Sequence, residues 1–71
     1  MALNEERAAM AYEACLTFAE AGGGQEDDMP SLIIDLLANL LHLADREGLC
    51  AEQTLATAKG HYESEVSEEV A

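Results

Sequence analysis

Positive charge is what this chain has least of. Three lysines and arginines stand against fifteen aspartates and glutamates in 71 residues, a formal net charge of -12. So few cations cannot neutralise enough phosphates to offset the repulsion, which excludes direct nucleic-acid binding and disfavours an anionic membrane surface. A tightly held partner is expected to be basic or apolar. Cysteine is also scarce: Cys15 and Cys50 form no CxxC pair and no Cys/His cluster of zinc spacing. A disulfide between them stays open beside the default expectation of free thiols in a reducing cytoplasm. The start of the chain, with Glu5 and Glu6, lacks the basic and apolar regions of a signal peptide. Long apolar runs are missing as well. The longest uncharged, mainly apolar stretch, Leu36 to Ala44, includes Asn39 and His42 and falls short of the ~20 residues that cross a bilayer. These absences predict a soluble, cytoplasmic protein.

What is present is helical periodicity in a chain that is 49% hydrophobic. The length allows one domain, residues 1–71, and small domains bury only about 60% of their unfolded surface, so stability is marginal. The first predicted helix runs from about residue 5 to 21, with Asn4 as N-cap and Glu5 and Glu6 in the first turn. Ala8, Ala11, Tyr12, Cys15, Phe18 and Ala19 make a thin apolar face, and Glu6, Met10, Glu13, Thr17 and Glu20 the opposite stripe. Gly22, Gly23 and Gly24 end it.

The second helix is predicted over 30–47, opening at Asp28 and Pro30 and closing at Gly48 with Leu49 behind it. Leucines, isoleucines and alanines cover nearly its whole circumference, leaving one polar stripe of Asp35, Asn39, His42 and Arg46. The third is predicted over 51–68, with Gln53 as the inner half of a capping box and Leu55, Ala58, Tyr62 and Val66 as its apolar line. Its acidic end, Glu63 to Glu69, is expected to fray against the helix dipole. No strand-like alternation or internal repeat occurs, so the class is all-α: a three-helix bundle or hairpin around a central hydrophobic helix.

A helix apolar almost all round needs cover on more than one side. Neighbours with narrow alanine faces supply too little, which predicts a homodimer whose interface includes Ile33, Leu36, Leu37, Leu40 and Leu41. The alternative is a monomer in which the flanking helices enclose the second one.

Reactive patterns are sparse. Asp35 and His42 share a stripe, but one histidine on one helix makes a poor metal or acid/base site, and a water-facing stripe or hydrogen bonding across a symmetric interface is the better account. Asn39 is also a candidate for setting register in the manner of a buried coiled-coil asparagine. Glu65 and Glu68 satisfy the ExxE spacing of magnesium-binding pyrophosphatases without a second motif or cations for phosphate. His61 is placed in solvent and Tyr62 in the core, with no nucleophile nearby. The glycine run ends a helix, whereas a phosphate loop opens one. No enzyme, metal or cofactor is predicted. The acids are more coherent: Glu6, Glu13 and Glu20 recur at seven-residue intervals, and Glu26, Asp27 and Asp28 continue the ridge. Spaced about 10 Å apart, they present negative charge to a basic groove, or serve only as a solubilising face.

The stretch from Asp35 to Glu65, with DLLANLLHLADREGL and the later HYESE, resembles short helical proteins carried by phages, plasmids and integrated elements. It covers under half of the chain, and no functional residue carries over. Small acidic proteins of such elements are similar in composition to anti-CRISPR proteins and other DNA mimics. The resemblance implies a protein–protein inhibitor that blocks a basic nucleic-acid-binding surface of a host defence protein. The alternative is a structural or adaptor dimerisation module that binds through the second helix.

Overall fold

The structure, a computed structural model, describes residues 3–23 and 28–70. Three helices carry the fold: α1, Asn4–Phe18; α2, Met29–Arg46; and α3, Ala51–Val70. No strand occurs among the described residues, so the chain is an all-α, three-helix protein.

The helix ends follow local chemistry, with three corrections to the sequence reading. Asn4 is the first residue of α1, and Leu3 occupies the cap position, its backbone N–H donating to Glu6 Oε1 at 3.0 Å. The Asn4 side chain is thereby freed for longer-range bonds. At the other end α1 stops three residues early and passes into a wider turn, Ala19–Gly23, in which Gly22 takes φ 103°. That left-handed value is open to glycine and strained for other residues. Asp28 caps α2 as expected, accepting from the Ser31 backbone N–H at 3.1 Å. The exit from α2 is a Schellman ending: Leu49 N–H donates to Ala44 O at 2.8 Å and Gly48 N–H to Asp45 O at 3.1 Å, with Gly48 at φ 77°. Gln53 caps nothing; its side-chain amide donates to Thr57 Oγ1 one turn on, at 3.4 Å.

The helices meet near their ends. Around the glycine turn Cys15 and Ala19 pack on Leu32, with Phe18, Met29 and Leu36 around them. At the opposite end of α2, Ala44 is buried close to where α3 begins. α3 then travels to the start of α1, where Asn4 Nδ2 donates to Glu65 O at 3.0 Å and Arg7 Nε pairs with Glu65 Oε2 at 3.4 Å. Glu65 lies about 21 Å along α3 from its first residue. α1 and α2 therefore diverge from the glycine turn, and α3 bridges their open ends. The result is flat, 39 × 28 × 18 Å, with a radius of gyration of 13.5 Å. A compact chain of this length has a radius nearer ~11 Å.

This arrangement leaves the core small. Cys15, Ala19, Leu32 and Ala44 are the buried hydrophobic residues among those described. The flanking helices do not enclose α2, so the fully wrapped alternative is not the arrangement observed. Tyr62 is also corrected: it is 65% exposed and sits at the α1–α3 junction, because α3 meets α1 only near its far end. The acidic end of α3, expected to fray, is helical to Val70 and held by Asn4 and Arg7.

Candidate functional site

Two surfaces of unlike chemistry share α1. The first is an apolar groove between α1 and α2. Where the helices part, Ala11, Ala14 and Cys15 form one wall and Ile33, Leu36, Leu37 and Leu40 the other, around a hollow of about 290 Å³. A second hollow, of about 230 Å³, shares Ala11, Cys15 and Ile33 and extends to Ala8, Tyr12 and Met29. None of these residues is an aspartate, glutamate, lysine or arginine. Small alanines on α1 and large leucines on α2 give the groove its relief, a valley beside a ridge. Ile33, Leu37 and Leu40 are 47%, 48% and 49% exposed, and Leu36 and Leu41 are half-buried. Of the expected interface residues, Ile33, Leu36, Leu37 and Leu40 thus border one groove. Leu41 lies outside its walls.

The second surface is acidic. Glu13 is exposed on α1, and 3.6 residues per turn place it about 160° around the helix from Ala11 and Cys15. Glu6 is exposed on the same side, about 10 Å along the axis, with one carboxylate oxygen engaged by Leu3 N–H. Glu20 is exposed too, but it stands beyond the end of α1 in the Ala19–Gly23 turn, so the seven-residue repeat is helical only between Glu6 and Glu13. Asp28 is occupied as the cap of α2. The Ser31 side chain and then its backbone N–H hold the Asp28 carboxyl below its ordinary value. Glu26 and Asp27 lie outside the described residues.

No family model, curated protein or solved structure matches the chain. Function must therefore be argued from these surfaces alone.

Asp35, Asn39, His42 and Arg46 are all exposed along the back of α2. Asn39 is not buried in this chain, which leaves the register role without support here. Among the described residues no three His, Cys, Asp or Glu side chains gather where they could hold a metal ion. Cys15 is buried and Cys50 exposed, both as free thiols, so the disulfide alternative is not realised. Glu65 and Glu69, read as half of an ExxE pattern and a solvated tail, instead bind the start of α1: Arg7 pairs with Glu65, and Asn4 N–H donates to Glu69. Sequence reasoning missed that link. Its available signal was Arg7, a lone cation in an acidic helix, opposite the most acidic segment of the chain.

Proposed function

We propose that this chain is a small acidic protein–protein interaction protein, an inhibitor of the DNA-mimic kind, whose α1 ridge docks on a basic nucleic-acid-binding surface of another protein. The supporting observation is the segregation on α1, with Glu13 and Glu6 turned away from the apolar groove and exposed. The cation that α1 carries does not cancel it, because Arg7 is paired with Glu65. Charge arranged in this way speeds association with a basic partner, and the gain fades as salt rises. In this reading the chain performs no catalysis and needs no cofactor.

The test is retention of basic nucleic-acid-binding proteins from host cells on the immobilised chain. Retention is expected to fall with added salt and with the double reversal Glu13→Lys, Glu20→Lys. Retention indifferent to both contradicts the inhibitor reading. A second reading, an adaptor that binds through α2, is favoured by the half-exposed Ile33, Leu37 and Leu40. In that case Leu37→Asp with Leu40→Asp abolishes retention, while the α1 reversals change little.

A further inference from the structure

We propose that the apolar groove between α1 and α2 is closed by the same groove of a second copy of this chain, forming a two-fold dimer with the acidic ridges outermost. The proposal rests on reading the chain as a protein-binding module, and it names the occupant of one surface.

Area carries the argument first. The chain exposes 5609 Å². Compact monomers of this mass expose about 4,300 Å², leaving an excess of roughly 1,300 Å². A standard interface removes about 800 Å² from each partner, and obligate homodimers bury about 2,000–5,000 Å² in total. A patch of about 800 Å² on each copy lies within this excess, so pairing through the groove reaches a standard interface of about 1,600 Å² in total.

Shape carries it second. A two-fold interface must be complementary to itself, because one patch meets its own copy. The groove holds both halves of such a fit, a valley of Ala11 and Ala14 beside a ridge of Leu37 and Leu40. Rotation by a half-turn sets the leucines of each copy over the alanines of the other.

Charge is the obstacle, since each copy carries -12. The groove walls hold no acidic or basic side chain, so contact buries no Asp, Glu, Lys or Arg. Glu13 lies on the far side of α1, and two layers of helix about 10 Å thick separate the ridges by more than the ~8 Å screening length at physiological salt. Residual repulsion makes the dimer tighter as salt rises, the reverse of docking on a basic partner.

Sedimentation equilibrium at micromolar protein tests this, with binding of an apolar fluorescent dye measured alongside. The expected particle is twice 7.6 kDa, binds little dye, and dissociates less at 0.5 M salt. Leu37→Asp with Leu40→Asp is expected to give monomers. Ala14→Arg, an exposed helix position that tolerates a long side chain, is expected to do so with helical circular dichroism retained. A wild-type monomer that binds dye overturns the second copy but leaves the groove a binding surface. A monomer that binds none overturns both. A dimer unaffected by Ala14→Arg places the contact elsewhere and overturns the proposal.

Discussion

Asp28 shows how much a single exposed side chain decides, since it sets where α2 begins and has its carboxyl pKa lowered by Ser31. A carboxylate whose folded pKa is depressed adds stability above its unfolded pKa, and that stability is lost as pH falls through the lower folded value. The Asp28 share of stability is therefore lost on acidification into the carboxylate range, so in thermal melts the deficit of Asp28→Asn relative to the wild type should shrink over that interval. The glycines give a paired prediction of opposite sign. Gly48 has φ 77° and open space where a Cβ would stand, so Gly48→Ala meets only backbone strain and should cost about 1–2 kcal/mol. Gly60 is helical with equally open surroundings, and Gly60→Ala should add about 0.5–1 kcal/mol. Urea midpoints of the two variants should move in opposite directions. The role of Gly48 was legible in the sequence, because turn chemistry acts over a few residues. Asn4 was misread because one of its partners, Glu65 O, lies far along the chain.

At the scale of elements, Leu32 and the α3 latch carry different weights. Leu32 joins α2 to Cys15 and Ala19 in the main buried cluster. Leu32→Ala should cost about 2–5 kcal/mol in the denaturation midpoint, enough to unfold so small a core. The Arg7–Glu65 pair is about one-third exposed, so Arg7→Met should cost less than about 1 kcal/mol. Its effect should instead be local, with faster amide exchange in the last two turns of α3 and unchanged exchange around Leu32. Helix existence was readable because apolar residues recur at three and four, and the Gly48 ending because its motif is local. The place of Tyr62 was not. Its line on α3 looks like a core face, but helical spacing shows which residues share a side and says nothing of whether a neighbour arrives there. α3 meets α1 near one end only, so Leu55 remains exposed, and Tyr62 stays open even at the junction.

For the whole molecule, the leucine-rich circumference of α2 was the most informative signal in the sequence, and its structural consequence is the half-exposed row Ile33, Leu37 and Leu40. A flat triangle of helices with four buried hydrophobic residues among those described leaves more surface than its mass warrants. In the proposed reading the acidic back and the apolar groove divide the labour: a second copy for the groove, a basic partner for the ridge. Their salt dependences have opposite signs, so the two associations separate in one titration. The most direct measurement is an isotope-filtered NOE experiment on an equal mixture of methyl-labelled and unlabelled protein. Cross-peaks from the labelled Leu37 and Leu40 methyls to Ala11 and Ala14 of the unlabelled copy are the predicted result. Their absence in a well-dispersed spectrum, or cross-peaks to α3 alone, would contradict the account.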